Sequence, residues 1–192
     1  NSAFGSYCLS SNTTGVRNAA FGRTALASNT VGSYNCAFGY QALYTNTANN
    51  NSAFGYRALS LNTTGISNAA FGRGALQSNT IGASNSAFGY GALVNNTTGD
   101  NNTAVGNNSL NANTIGISNT AVGHQSLLNN TTGASNVAVG VNALLANTVG
   151  IYNAALFSQA SLSFNTYLAD QLNQTVRDYF SNQFLSVNNS AD

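Results

Sequence analysis

The chain contains no lysine, glutamate, proline, methionine or tryptophan. Only 5% of its 192 residues are charged, against the ~25% usual in soluble domains. Its positive charge is five arginines, Arg17, Arg23, Arg57, Arg73 and Arg177, and its formal net charge is +1. A charge so sparse excludes the basic footprint of a nucleic-acid binder and the basic face of a membrane-surface helix. No apolar run reaches the ~20 residues that a bilayer span needs.

The same scarcity bears on chemistry. Asp100 is the one acidic residue before Asp170, and His124 is the one histidine. Hydrolysis by paired carboxylates needs two facing acids, and Asp170 and Asp178 read as solvated groups on a helix face. A nucleophilic triad needs a carboxylate beside its histidine. Metal sites need clustered His, Cys or acids, and phosphate-cradling glycine loops need a lysine. The residues therefore point to no enzyme, no cofactor and no metal. The chain opens inside a repeat and without Met, which is expected of a processed product or a piece of a longer chain. Near-neutral composition suits an assembled protein outside the cell, on a virion or on a cell surface.

What the chain does have is a period. Repeats begin at Asn1, Asn18, Asn35, Asn51, Asn68, Asn85, Asn102, Asn119 and Asn136, each 17 residues long except the third, which is one shorter. The template is N-x-A-[FV]-G-x-x-[AS]-L-x-x-N-T-[TVI]-G-x-x, and its places are called positions 1 to 17 below. Asn/Ser/Thr/Gly-rich chains can be disordered, but here the 43% hydrophobic content falls at fixed positions. Seventeen residues are too few for helical-pair repeats or leucine-rich repeats. They fit one turn of a β-solenoid. The expected fold is an all-β parallel β-solenoid, or β-roll, over residues 1–152. Residues 153–192 then form a degenerate tenth repeat and a C-terminal helical or irregular cap.

Within a repeat a small residue precedes a larger one three times, at positions 3–4, 8–9 and 13–14. This predicts three short faces, each sending one side chain inward, with glycine corners at position 5 and usually at 15. "ALxxN" also fits a single helical turn. Stacked coils would place equivalent residues ~4.8 Å apart, so nine coils would span about 43 Å. Phe4, Phe21, Phe38, Phe54, Phe71 and Phe88 are expected as one inner column, continued by Val105, Val122, Val139 and Leu156. A second inner column holds Leu9, Leu26, Leu43, Leu59, Leu76, Leu93, Leu110, Leu127 and Leu144. On this reading Phe54→Asp buries an unpaired charge. Asparagines at position 1 (Asn18, Asn35, Asn51, Asn68) and position 12 (Asn29, Asn46, Asn79) are expected as ladders along the axis, or else as ordinary turn residues. Stacking also accounts for the missing charge, since a charged template position would set like charges one coil apart.

The two cysteines lie two coils apart, an axial ~9.6 Å. That exceeds the ~7 Å Cα limit for a disulfide, so both are expected as free, buried thiols. In the tail, Leu168, Leu172, Val176, Phe180 and Phe184 recur at steps of four, which predicts an amphipathic helix face. It reads either as a lid over the last coil or as an assembly segment. Sequons at Asn12, Asn50, Asn62, Asn95, Asn96, Asn101, Asn107, Asn129, Asn130, Asn173 and Asn188 arise from the repeat's own composition, and inward-facing ones cannot carry glycan.

At "NTAVGHQSLLNNTTGASN" the chain resembles the repeats upstream of the endosialidase-type chaperone domain in phage and large-virus tail-fibre proteins and in similar bacterial surface proteins. "NSAFG" and "NTAVG" resemble, more distantly, the Asn-Ser-x-Ala-x-Gly coils of trimeric autotransporter adhesin heads. The likeness covers residues 1–152. It implies a fibrous, usually trimeric, extracellular shaft or adhesin without catalysis. The expected function is a structural fibre or filament subunit whose partner is itself, as a head-to-tail filament or a homotrimer. The alternatives are a glycan-binding adhesin using Tyr40, Tyr56 and Tyr90 at position 6, and an ice-binding solenoid using the threonine ladder Thr13, Thr30, Thr47, Thr63, Thr80, Thr97, Thr114, Thr131 and Thr148.

Overall fold

The computed structural model describes residues 1–156. Ten strands follow in chain order: β1 Ser2–Phe4, β2 Ala19–Phe21, β3 Cys36–Phe38, β4 Ser52–Phe54, β5 Ala69–Phe71, β6 Ser86–Phe88, β7 Thr103–Val105, β8 Thr120–Val122, β9 Val137–Val139 and β10 Ala154–Ala155. They form one parallel sheet in sequential order. The register advances one repeat at each step: Ala20 pairs with Ala37 and Phe21 with Phe38. It holds across the short third coil, where Ala37 pairs with Ala53. The chain is a parallel β-solenoid of tandem repeats, and β10 carries the sheet into the degenerate tenth. The proposed cap, with Leu168, Leu172, Val176, Phe180 and Phe184, lies outside the described residues.

Each coil contributes one strand, not three. The rest of the coil is a run of tight turns, and no helix occurs among the described residues. The reason lies in the backbone at position 9. Leu26, Leu43 and Leu59 take φ of 52°, 51° and 51°, which a right-handed helical turn does not allow. A leucine in this left-handed region costs ~1–2 kcal/mol. Burial of its side chain returns ~1.5–3 kcal/mol, and Leu26 through Leu127 are 0% exposed. The leucine column is therefore inside, held there by a backbone bend. Where strands are absent, backbone hydrogen bonds still join the coils. Leu26 N–H donates to Ala42 O at 3.0 Å and Thr63 N–H to Thr80 O at 2.9 Å.

The phenylalanine column is where the structure departs from expectation. Position 3 is the inward residue of each strand: Ala20, Ala37, Ala53, Ala70, Ala87 and their successors are buried. Successive strand residues face opposite sides, so position 4 faces out. Phe21, Phe38, Phe54 and Phe71 are half-buried, Phe88 is 41% exposed and Phe4 more so. Val105 and Leu156 are likewise exposed, and Val122 and Val139 half-buried. Size explains the inversion. The coil interior is filled by the position 9 leucine, two small residues at positions 3 and 8, and two asparagines, which leaves no room for a phenyl ring. The third face is corrected in the same way. Val31, Ile81, Ile115 and Val149 at position 14 are exposed, and Asn at position 12 points inward instead.

The asparagine ladders are present and buried. At position 12, Asn79 Nδ2 donates to Asn62 Oδ1 at 2.7 Å and to Gly82 O at 2.9 Å. Asn96 Nδ2 donates in turn to Asn79 Oδ1 at 2.8 Å. At position 1, Asn68 N–H donates to Asn51 Oδ1 at 2.9 Å, and Asn68 Nδ2 to Gly82 O at 2.8 Å. Asn18 and Asn35 repeat this pattern, and Asn29 and Asn46 hold their own coils' turns. Position 15 must approach both ladders: a Cβ on Gly65 would lie 2.3 Å from Gly82 O and 2.6 Å from Asn62 Oδ1. Position 5 needs glycine for its φ as well, 139° at Gly55.

The short third coil lacks position 14 and carries Ala48 at position 15. There the ladder is interrupted. Asn46 Nδ2 donates to Ala48 O within its own coil, and Asn29 Oδ1 is left buried without a partner.

These contacts rank two substitutions. Asn79→Asp replaces an amide donor by an acceptor facing Asn62 Oδ1 and Gly82 O, and should lower unfolding free energy by about 3–5 kcal/mol. Phe54→Ala, on the outer face of the sheet, should cost the dilute protein about 1 kcal/mol. Urea titration followed by circular dichroism checks the order. If Phe54→Ala is the more damaging change, the inward alanine register is wrong.

Candidate assembly face and arginine–tyrosine edge

The strand alternation that hides alanine displays positions 2 and 4. Position 4 forms a ridge of stacked rings. Phe21 and Phe38 lie 4.5 Å apart between centroids, Phe38 and Phe54 4.9 Å, Phe54 and Phe71 4.7 Å, and Phe71 and Phe88 5.0 Å, with interplanar angles of 6–8°. Val105, Val122 and Val139 continue the ridge. Position 2 beside it carries only Ser, Ala, Cys, Thr or Val. No charged residue lies on this face of β1 to β10. The ridge from Phe4 to Val139 crosses nine coils, about 38 Å at ~4.8 Å per step.

A second surface runs along position 6. Arg23, Tyr40, Tyr56, Arg73 and Tyr90 stack in consecutive coils. The Arg23 guanidinium lies 6.0 Å from the Tyr40 ring centroid, and Tyr40 and Tyr56 stack at 5.3 Å. Arg73 sits between Tyr56 at 5.5 Å and Tyr90 at 5.7 Å. Cation–π attraction therefore fills the ladder where two arginines in adjacent coils would repel. Arg57, at position 7, donates from Nε to Gln41 Oε1 at 2.9 Å. Asp100 is remote from this edge, at position 16, and accepts from Ala83 N–H at 2.7 Å. His124 lies on the same column as Arg73, exposed.

Cys8 and Cys36 are free but half-buried, not buried. The Cys8 thiol donates to Gly22 O at 2.8 Å, and burial raises the pKa of Cys36. Asn62, Asn96 and Asn130 are buried in the ladder, so a glycan cannot occupy them. Asn50, Asn95, Asn101, Asn107 and Asn129 are exposed. The position 13 threonines use their hydroxyl protons internally: Thr63 Oγ1 donates to Thr80 O at 2.9 Å and Thr80 Oγ1 to Thr97 O at 3.0 Å. Among the described residues no three His, Cys, Asp or Glu side chains come together as metal ligands. Nor is any helix among them long and apolar enough to cross a membrane. Comparison with family models, curated proteins and solved structures finds no match to this chain.

The thiols give a direct check. Under native, non-reducing conditions both should alkylate, and no digest peptide should link Cys8 to Cys36. A raised pKa means less thiolate at neutral pH, so Cys36 should react more slowly than a free thiol and accelerate as pH rises. Mass spectrometry after timed iodoacetamide treatment reads both outcomes.

Proposed function

We propose that the chain is a non-catalytic structural subunit of an extracellular, virion or cell-surface fibre, assembled from copies of itself through the outer face of the sheet. The observation that carries this reading is the uncharged phenylalanine–valine ridge. Monomeric proteins rarely leave a contiguous apolar strip of this length in water. Because equivalent coils of parallel copies stand at the same height, the ridge, Phe in six coils and Val in the next three, would meet its own copy under cyclic symmetry. A side-by-side bundle buries it along its whole length. A trimer is what the resemblance to tail-fibre and autotransporter repeats implies. Head-to-tail stacking rests instead on Leu168 to Phe184, outside the described residues.

Two other readings have unequal support. An adhesin role draws on the arginine–tyrosine edge, which belongs to a surface distinct from the ridge. Ice binding has less, because the threonine hydroxyl protons are already donated to the next coil.

Sedimentation equilibrium tests the fibre reading. The unaltered chain should be oligomeric. The double variant Phe38→Arg/Phe71→Arg, its arginines two coils apart, sets charges into a contact that excludes water, and should be a monomer with an unchanged far-ultraviolet spectrum. A monomeric unaltered chain, or an oligomer indifferent to the two arginines, refutes assembly through this face.

A further inference from the structure

Position 7 is occupied by a side chain in most coils: Tyr7, Thr24, Gln41, Arg57, Asn108, Gln125 and Asn142. The exceptions are consecutive, Gly74 and Gly91. Two missing side chains in one column open a groove of about 430 Å³. Its floor is Gly74, with Gly91 beside it under the Asn108 amide, whose Oδ1 would lie 2.5 Å from a Cβ there. One wall is the position 6 ladder of Tyr56, Arg73 and Tyr90, and the other is position 10, with Gln77, Val94 and Asn111. Arg57 and Asn108 close its ends, three coils or ~14 Å apart. A smaller hollow of about 290 Å³ continues beyond Arg57, between Gln41, Tyr44 and Gln77.

The lining has a definite chemistry. Tyr56 and Tyr90 cover the two faces of the Arg73 guanidinium. A guanidinium stacked on both faces keeps its in-plane N–H donors, the fork that pairs with a carboxylate. Among the described residues no carboxylate meets it, since Asp100 is held at another corner. The Gln77 amide supplies a donor and an acceptor of the kind that hydroxyl groups need, Asn111 Nδ2 is committed to Gly91 O and Asn108 Oδ1 at 3.2 Å, and Val94 supplies an apolar patch. A duplex or other extended polyanion would need many more cations than this edge carries. The groove spans one or two sugar rings.

We propose that this groove binds an acidic saccharide, its carboxylate on the edge of Arg73 and its ring over Gly74, where a Cβ would meet nothing closer than 3.4 Å. The carboxylate could belong to a uronic acid or to a sialic acid, whose shared chemistry is a charged group on a hydroxyl-rich ring.

Titration calorimetry with sialyllactose, with a glucuronate-containing tetrasaccharide and with neutral lactose tests it. At least one acidic sugar should bind about tenfold or more tightly than lactose, the factor that a charge-assisted hydrogen bond supplies. Which one binds identifies the source. Arg73→Gln should remove that preference. Gly74→Gln refills the column with a residue that Gln41 and Gln125 carry in the same left-handed region, φ 57° and 55° against 70° at Gly74. It should abolish binding with the melting temperature kept. The proposal is overturned if both acids bind no better than lactose, or if well-folded Gly74→Gln binds like the unaltered chain. Both variants lie off the phenylalanine ridge, so their sedimentation mass should not change. Loss of sugar binding with assembly intact, or the reverse, separates this proposal from the fibre reading.

Discussion

The solenoid depends on amides buried along its axis. Asn at positions 1 and 12 is buried in coil after coil, where an unpaired amide would be costly. Each is paired because the coil above presents the same group one sheet spacing away. The partners are the next asparagine and the carbonyl at position 15. This explains why the repeat tolerates so little variation at these positions and why glycine almost always follows three residues after the second asparagine. A Cβ at Gly65 would stand where Gly82 O and Asn62 Oδ1 already are. The third coil shows the limit: one residue shorter, it breaks the amide chain and leaves Asn29 Oδ1 alone.

An interior built this way is narrow. Two small residues, one leucine and two asparagines fill it, so the coil has no place for rings. The phenylalanines are pushed to the outer face of the sheet, where the same one-coil repeat stacks them at 4.5–5.0 Å. Core and surface are therefore ladders of one period, differing only in what each stacks. Amides stack inside through hydrogen bonds and rings outside through their faces. At position 6 tyrosines separate Arg23 from Arg73, so no arginine meets another arginine in the next coil of that column.

A ladder surface is uniform by construction, and uniformity suits assembly with further copies. Recognition of a different molecule needs a departure from the template. The departure at Gly74 and Gly91 is local, and among the described residues it falls beside the one arginine flanked by tyrosines on both sides. On the proposed readings the ridge and the groove would be opposite uses of the same repeat, one exploiting its regularity and the other its interruption.

The period, the parallel stacking, the leucine column and the asparagine ladders were legible in the residues alone. They follow from a repeat of 17 and from what identical groups do when superposed. The direction of the phenylalanines was not legible. Size suggested that the larger of Ala53 and Phe54 would be buried, but size ranks side chains only when the interior has room. That room was set by Leu59 and the asparagines from distant parts of the coil, and by a left-handed φ at leucine that no propensity rule anticipates. The groove was equally hidden. Gly74 and Gly91 are 17 positions apart in the chain and become neighbours only once the coils stack. The sequence by itself determined which groups repeat and how far apart. Only the tertiary structure decided which of them face inward, because inward is defined by the space the rest of the coil leaves.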